Sequence, residues 1–240
     1  SRTHQRFTIV LKCGLVNLVH VINLLETGLK TYSATDTLQR ELHARIAGGE
    51  HPNSFLIFEA ESSYTAGRHT QPHDIIDDSI PIIETDRAGS ITWHGPGQLV
   101  CYPLVKLAAP VDVIKYIRAV EGAVIDTLQQ HFGLDVGRIE GRAGVWIENR
   151  KISAIGLKIS QDATLHGISL NVNTDPASAF AGVIPCGITD ATVTSMAEEG
   201  VETTLQAVAE ALTGALEQRL EPLLDPESIK GDVNVYHPAG

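Results

Sequence analysis

The sequence predicts an α+β fold, in which helices flank a mixed central sheet. Three segments carry the apolar spacing of helices, and beyond the second of them strand-like segments follow one another directly instead of alternating with helices. With 240 residues, 43% of them hydrophobic, the chain can bury one large core without support from a disulfide or a metal. We therefore expect a single domain at 31–222, an N-terminal extension at 1–30 and a surface tail at 223–240.

Apolar residues at three- and four-residue spacing predict the helices, at residues 34–47, 112–131 and 203–220. Asp112 suits the N-terminal cap of the second helix, because its side chain can accept a hydrogen bond from a backbone N–H of the first turn. Gly133 suits the position after the last turn, where the backbone often becomes left-handed.

Six segments rich in β-branched and aromatic residues predict strands. They are residues 54–60, 79–85, 97–105, 144–148, 151–160 and 164–173. In the last of them, Ile168, Leu170 and Val172 alternate with polar residues, as in a strand that is buried on one face. Short turns separate the last three segments, and this spacing predicts consecutive hairpins.

The charge and the cysteines exclude several classes of protein. A net charge of -11 disfavours binding to nucleic acid. Three cysteines without C-x-x-C spacing argue against a disulfide framework and a zinc site, and they favour the reducing cytoplasm. The apolar stretch near the N-terminus is interrupted by polar residues, so it lacks the roughly 20 apolar residues that a membrane span needs.

Two segments have the composition of a ligand-binding or reactive loop. "DRAGSITWHGPGQLVCYP" (86–103) combines glycines with Arg87 and His94, which suits close approach of a ligand, although a turn between core strands explains the glycines equally well. "VIPCGIT" puts Cys186 between a proline and a glycine, whereas Cys101 lies in a strand-like segment typical of a buried thiol. A thiol pKa near ~8.5 leaves little thiolate at neutral pH, so a nucleophilic Cys186 needs a cation or a base beside it.

Candidate cations lie between residues 138 and 158, where five basic residues outnumber two acidic ones. A solvated hairpin explains this composition as well. Lys151 and Lys158 are seven residues apart, so strand periodicity puts them on opposite faces unless Gly156 marks a bulge. We therefore expect one of the two lysines to face a shared pocket.

Three motifs, in this order along the chain, resemble the lipoyl(octanoyl) transferases: "RAGSITWHGPGQLVCYP", "RKISAIGLKIS" running into "TLHGISLNVN", and "VIPCGITDATVTS". Members of this family move an octanoyl group from acyl carrier protein to a lysine of lipoyl domains. The resemblance covers residues 54–196, with a weaker match through "TLQRELHARI". Ala88 stands where the family usually has a second glycine and Trp93 where it more often has tyrosine, and neither change removes a reacting group.

The resemblance implies a set of site residues. Cys186 of "PCG" is the implied nucleophile, and Lys151 of "RKI" is its catalytic partner. The implied acyl-binding residues form three runs, namely Arg87, Ala88, Gly89, Ser90, Ile91, Thr92, Trp93 and His94; Ala154, Ile155 and Gly156; and Gly167, Ile168 and Ser169. The resemblance also implies a fold similar to the lipoate and biotin protein ligase catalytic domain, with 31–222 as a single catalytic domain.

The reaction partners are likewise implied by the resemblance. The donor is acyl carrier protein, whose phosphopantetheine carries the acyl chain, and the acceptors are lipoyl domains of 2-oxoacid dehydrogenase E2 subunits and glycine cleavage H protein. A lysine ammonium beside a thiol favours the thiolate, and exchange of one thioester for another needs no ATP, metal or other cofactor. Since such partners are typically acidic, we expect the basic residues of 138–158 to dock them.

Three alternative functions fit parts of the sequence. An ATP-dependent lipoate or biotin ligase shares the implied fold, and in it Lys151 would contact an acyl-adenylate while Cys186 would have no chemical role. A non-catalytic relative would only bind acylated carrier proteins, but both members of the implied dyad are present. A cysteine hydrolase would need His94 or His166 as its base, and neither lies in a known protease motif.

Overall fold

The computed structural model describes residues 19–184 and 190–229, and within these ranges the strands form two sheets. In chain order the strands are β1 (His20–Asn23), β2 (Ser54–Phe58), β3 (Ser63–Ala66), β4 (Ile82–Glu84), β5 (Ile91–His94), β6 (Gln98–Leu104), β7 (Gly137–Ile139), β8 (Arg142–Ile147), β9 (Arg150–Ser160), β10 (Ala163–Asn171) and β11 (Thr192–Val193). The main sheet has the order β1-β2-β6-β10-β9-β8-β7, with β11 beside β9, and the small sheet has the order β4-β3-β5.

The helices cover both faces of the main sheet. They are α1 (Tyr32–Ala47), α2 (Val113–Phe132), the short α3 (Pro176–Ala179) and α4 (Leu205–Leu220). The apolar faces of α2 and α4 share one buried core with Leu99 of β6, whereas Leu42 of α1 shares a second core with Val100 of the same strand. Because adjacent strand residues point to opposite faces, Leu99 and Val100 separate the two layers, and β6 is buried on both sides.

The main sheet is mixed, as the sequence predicts. β10 is antiparallel to both β6 and β9, while β1 is parallel to β2 and β11 is parallel to β9. The predicted α+β fold with a mixed central sheet flanked by helices is therefore confirmed. None of the helices in the described part of the chain is both long enough and apolar enough to cross a membrane.

The ends of α2 follow the local signals in the sequence. The Asp112 side chain accepts a hydrogen bond of 3.0 Å from the backbone N–H of Lys115, which satisfies a donor of the first turn. Gly133 ends the helix with a φ of 67°, and its N–H donates to the carbonyl of Leu128. Both predicted capping residues are thus confirmed.

The folded unit extends beyond the predicted range 31–222 at both ends. β1 lies inside the predicted extension 1–30, yet it pairs with β2 through residues 20–23 and adds an edge strand to the main sheet. Leu224, inside the predicted tail 223–240, is buried and pairs with Leu107. The sequence does not reveal β1 as a strand, because polar residues interrupt its apolar ones. An edge strand tolerates these polar residues, since only part of its surface is buried.

Candidate active site

A cavity of about 360 Å³ lies against β9 and β10, between the main sheet and the small sheet. Its walls come from the first residue of α1, the turn at 69–74, the segment 87–94, the turn at 141–143 and Val193 of β11. These walls are contributed by segments far apart in the sequence. The volume lies within the range of sites that enclose a small ligand.

The structure brings most of the predicted site residues to this cavity. The predicted residues that line it are Arg87, Ala88, Gly89, Ser90, Ile91, Thr92, His94, Lys151, Ala154, Ile155, Gly156, Gly167, Ile168 and Ser169. Trp93 is not among the lining residues. Cys186 lies outside the described residues, together with the rest of 185–189.

Arg87 ties the glycine-bearing segment to β3, and Ala88 ties it to β9. Its guanidinium donates to the carbonyl and the hydroxyl oxygen of Thr65, both at 2.9 Å, and to the carbonyl of Ala88 at 3.0 Å. The N–H of Ala88 in turn donates to the carbonyl of Leu157 at 3.0 Å. A Cβ at Gly156 would lie 2.8 Å from the Ala88 carbonyl oxygen, so this approach requires a glycine.

Trp93 lies behind the cavity wall and supports it. Only 6% of the residue is exposed, and its indole N–H donates to the Ser62 hydroxyl at 2.9 Å. Its ring packs edge-on against Phe180 with centroids 5.9 Å apart, and Phe180 is a lining residue. Trp93 therefore supports the wall and does not itself line the cavity, and its predicted contact with the acyl chain stays a prediction.

Lys151 reaches the cavity because of a register shift in the sheet. Val145 of β8 pairs with Ser153 of β9, but the next residue, Trp146, pairs with Lys151, so β9 has one extra residue there. Val145 belongs to the core under α2 and α4, and Lys151 shares the opposite face with Trp146. Gly156 marks no bulge, because the β9–β10 register is continuous there, and the irregularity that changes the strand's periodicity lies beside Lys151.

The Lys151 side chain is buried against an aromatic ring. The residue is 7% exposed, and its ammonium lies 5.1 Å from the centroid of the Trp146 ring, within cation–π distance. Gly144 makes room for it, because a Cβ there would lie 2.8 Å from the Lys151 Cε atom and 2.5 Å from the Ser153 carbonyl oxygen. The ammonium is therefore held in a narrow position beside the cavity.

Lys158 is held away from the cavity by an acidic partner. Its ammonium donates to Asp86 at 2.8 Å, and Arg40 and His166 donate to the same carboxylate at 2.9 and 2.8 Å. Burial alone would raise the pKa of Asp86, but these hydrogen bonds, from Arg40 first, hold it well below its usual range. Lys151 and not Lys158 lines the cavity, so the prediction that one lysine faces the pocket is confirmed.

His166 is a neutral ring that joins β10 to α1. Gln39 accepts from the His166 backbone N–H through its side-chain oxygen, so its amide nitrogen donates to the ring Nδ1 at 3.1 Å. The ring proton is then on Nε2, which donates to Asp86. Burial lowers the pKa of His166 despite the nearby carboxylate. This arrangement fixes the chain just before Gly167 at the cavity wall.

His94 is neutral for a similar reason. The amide nitrogen of Gln98 donates to the Trp93 carbonyl and to Asn171, so its oxygen accepts from His94 Nδ1 at 2.7 Å. Burial lowers the pKa of His94 to about 4, and the Arg87 charge adds to this effect. The ring is a neutral hydrogen-bonding group in the cavity wall at physiological pH.

The residues on both sides of 185–189 are anchored beside the cavity. On one side, the Ile184 N–H donates to the Asp74 carbonyl at 2.8 Å. On the other side, Val193 pairs with Lys151 in the β11–β9 ladder, and the Thr194 N–H donates to the Lys151 carbonyl at 2.9 Å. The segment that contains Cys186 thus connects two anchored points in the cavity wall.

The basic stretch at 138–158 is neutralised by acidic partners. Arg138 pairs with Glu121, Arg142 with Asp190, and Arg150 with Glu148 and Glu199. These ion pairs weaken the expectation that this stretch presents a positive surface to acidic proteins, because each arginine already has a counter-charge. The acidic partners of these arginines lie up to 49 residues away in the sequence, so the composition of the stretch alone could not reveal them.

Comparison with known proteins agrees with the geometry. The family model described as the lipoyl protein ligase A/B catalytic domain matches residues 32–217. An octanoyltransferase of Mycolicibacterium gilvum is 46% identical over 201 residues, covering 79% of this chain and 83% of that protein. The chain belongs to the octanoyltransferase family. This membership confirms the family predicted from the three motifs, and it confirms an acyltransferase enzyme.

Solved structures agree with the octanoyltransferase fold. A lipoate-protein ligase A bound with ATP has a TM-score of 0.66 at 16% identity and covers 85% of both chains. The biotin protein ligase of Aquifex aeolicus has a TM-score of 0.51 at 16% identity, covering 84% of this chain and 68% of that one. At such identities the likeness concerns the fold alone, and it confirms the predicted similarity to the lipoate and biotin ligase domain.

Several lining residues of this octanoyltransferase-family chain have no signal in the sequence. They include Tyr32, His69, Asp74 and Phe180. Asp74 follows "RHTQPH", which has turn composition and no motif spacing. Long-range contacts bring this turn to the cavity, among them the pairing of Ile75 with Val183, more than a hundred residues away, and the hydrogen bond from the His69 N–H to the Gly89 carbonyl.

Proposed function

We propose that this member of the octanoyltransferase family takes an octanoyl group from acyl carrier protein onto Cys186 and passes it to a lysine of a lipoyl domain. The observation that carries the proposal is the buried ammonium of Lys151 at the cavity wall, on the same backbone ladder as the strand that follows the Cys186 segment. A fixed ammonium favours a nearby thiolate by direct attraction between the charges.

In the first half-reaction the thiolate attacks the carbonyl carbon of the donor thioester. The bond from this carbon to the phosphopantetheine sulfur breaks, and a new thioester forms on Cys186. Lys151 gives its proton to the departing sulfur, so the carrier leaves as a thiol and Lys151 becomes a neutral amine. Breaking and making equivalent thioester bonds needs no ATP and no cofactor, and we propose that none is used.

In the second half-reaction the acyl carbon exchanges its bond to the Cys186 sulfur for a bond to the nitrogen of the acceptor lysine. The neutral Lys151 amine takes a proton from the incoming ammonium, the amine attacks the acyl carbon, and Cys186 leaves as a thiolate. A second proton is released to solvent when the amide forms. We propose the lipoyl domains of 2-oxoacid dehydrogenase E2 subunits and the glycine cleavage H protein as acceptors, and the cytoplasm as the location.

The cavity has apolar room for an alkyl chain beside Lys151. Ile91, Ile155 and Ile168 contribute to its lining, together with Gly156 and Gly167. A Cβ at Gly167 would lie 2.5 Å from Pro103 Cδ and 2.9 Å from the Cys101 carbonyl oxygen, so a side chain there would displace β6 and with it the cavity wall. A straight octanoyl chain gains about 0.8 kcal/mol for each methylene that it buries in such a chamber.

The test is intact-protein mass spectrometry after brief mixing with octanoyl-acyl carrier protein, without ATP and without an acceptor. We expect the wild-type protein to gain one octanoyl group that hydroxylamine removes. Cys186→Ala should gain none, and Lys151→Ala should gain it on the order of 10²- to 10⁴-fold more slowly, the usual effect of a general acid or base.

Two outcomes would lead to another function. Acceptor acylation that requires ATP, with no adduct on the wild-type protein, would identify an ATP-dependent ligase. Rapid loss of the adduct to water in the absence of an acceptor would identify a hydrolase. Equal acylation rates for the wild type and Lys151→Ala would remove Lys151 from the mechanism while leaving the thioester in place.

A further inference from the structure

Asp74 is a buried carboxylate with an unsatisfied oxygen in the cavity wall. It lies at the end of the short 3-10 helix Pro72–Asp74 and is 1% exposed. Its Oδ2 accepts a hydrogen bond of 2.8 Å from the Gln71 N–H, whereas its Oδ1 has no hydrogen-bond partner among residues 19–184 and 190–229. A buried polar atom of this kind costs about 1–3 kcal/mol, so its presence calls for an explanation.

The nearest charged neighbour in sequence does not supply the missing partner. The Nε2 atom of His73 lies 3.5 Å from Asp74 Oδ1, but the contact lacks hydrogen-bond geometry. The His73 side chain is 71% exposed, so water competes with the carboxylate for its ring. Asp74 lines the cavity, so its Oδ1 keeps an unfilled acceptor position at the wall that a cation could fill.

The charges of the cavity wall single out Asp74. Among the described lining residues it is the one acidic side chain, whereas Arg87, Arg142 and Lys151 bring positive charge. Arg87 and Arg142 are bound to Thr65 and Asp190 respectively. Asp74 is thus the lining side chain among the described residues whose charge attracts an incoming ammonium.

We propose that the Asp74 carboxylate receives the ε-ammonium of the acceptor lysine before acyl transfer. This inference rests on the proposed function, because it concerns the second half of the reaction. A lysine ammonium loses its hydration on entering a cavity, and a carboxylate oxygen offsets that loss by accepting a charge-assisted hydrogen bond.

Asp74 and its neighbour Ile75 also contact the residues that directly precede the segment 185–189. Its backbone carbonyl accepts from Ile184, two residues before Cys186, and Ile75 pairs with Val183. An ammonium held at Asp74 is therefore delivered to the part of the cavity where the segment 185–189 begins. Asp74 binds and orients the nucleophile, while the proton that activates it goes to Lys151.

The experiment separates acylation from transfer in Asp74→Asn. Asparagine keeps an oxygen that can accept from the Gln71 N–H, so the turn is preserved while the charge is removed. Asp78→Asn, an exposed residue four positions away, is the matched control for charge. Each variant is first acylated with octanoyl-acyl carrier protein and then mixed with increasing concentrations of an apo-lipoyl domain, and the adduct is followed by mass spectrometry.

We expect Asp74→Asn to acquire the octanoyl group at the wild-type rate. Its half-saturating concentration of lipoyl domain should rise about tenfold or more, as for a lost hydrogen bond to a charged group. Hydroxylamine, which carries no charge at neutral pH, should remove the adduct from all three proteins equally fast. Asp78→Asn should match the wild type throughout.

Each other result has a distinct meaning. Transfer to the lipoyl domain at the wild-type rate in Asp74→Asn would overturn the inference. Equal slowing with hydroxylamine and with the lipoyl domain would also overturn it, because Asp74 would then only support the structure. The absence of any adduct on the wild-type protein would instead refute the proposed function.

Discussion

Gly144→Ala is expected to slow the reaction by displacing the Lys151 side chain, although Lys151 itself is not substituted. Gly144 has a φ of 98°, a region that L side chains rarely adopt, and its Cα faces the lysine side chain. An added Cβ would lie 2.8 Å from the Lys151 Cε atom and 2.5 Å from the Ser153 carbonyl oxygen. Carbon atoms prefer a separation of about 3.5–4.0 Å, so the lysine must move by about 1 Å.

The expected magnitudes differ for activity and for stability. A shift of about 1 Å in a reacting group can cost about 100-fold in rate, which corresponds to roughly 2.7 kcal/mol of transition-state stabilisation. The unfavourable φ costs about 1–3 kcal/mol of unfolding free energy. Gly133→Ala is the matched control, because Gly133 has a φ of 67° and nothing lies within 4 Å of an added Cβ.

The assay compares single-turnover acylation by octanoyl-acyl carrier protein with urea unfolding of the same preparations. We expect both variants to lose stability, but only Gly144→Ala to lose the acylation rate. A folded Gly144→Ala protein that acylates within about threefold of the wild type would refute the claim that the Lys151 position limits the reaction.

Three further predictions follow from the acyl chamber, the Asp86 cluster and Trp93. A hexanoyl donor should have a kcat/KM about 15-fold below that of the octanoyl donor, since two methylenes are worth about 1.6 kcal/mol; equal values would exclude a chamber that measures chain length. Asp86→Asn should lower the free energy of unfolding at pH 7. Because the folded pKa of Asp86 is depressed, the difference in unfolding free energy between wild type and variant should shrink when urea titrations are made below about pH 4. A constant difference would contradict this linkage. Trp93→Phe should cost about 1 kcal/mol of stability through the lost Ser62 hydrogen bond while KM for the acyl donor stays unchanged, and a raised KM would return Trp93 to the pocket.

The parts of the fold that depend on local signals could be predicted from the sequence. The caps of α2 at Asp112 and Gly133 follow from side-chain and backbone preferences of single residues. β5 is different, because it lies inside the segment 86–103, whose glycines and proline indicate a turn. Its partner is β3, some thirty residues earlier, and only that long-range pairing makes a strand of it.

The residues of the candidate site also fall into those that local sequence predicts and those that only long-range pairing places there. The runs around Gly89, Ile155 and Ile168 could be predicted because they belong to sequence motifs, and the structure lines one cavity with them. Asp74 could not, since a tertiary bridge brings it there. The face of Lys151 could not be deduced either, because strand periodicity holds only where the register is continuous, and the shift opposite Trp146 changes it.

The parallel pairing of β11 with β9 has a consequence for how the enzyme can diverge. Val193 and Lys151 occupy opposed positions of one ladder, so a displacement of β9 carries the lysine and the exit from the Cys186 segment together. Another side of the cavity is formed by Ile91 and Thr92 of β5, which pairs with β3 in the small sheet. Substitutions there can change which chain length is accepted while this ladder keeps its spacing, so that selectivity and turnover can be adjusted separately.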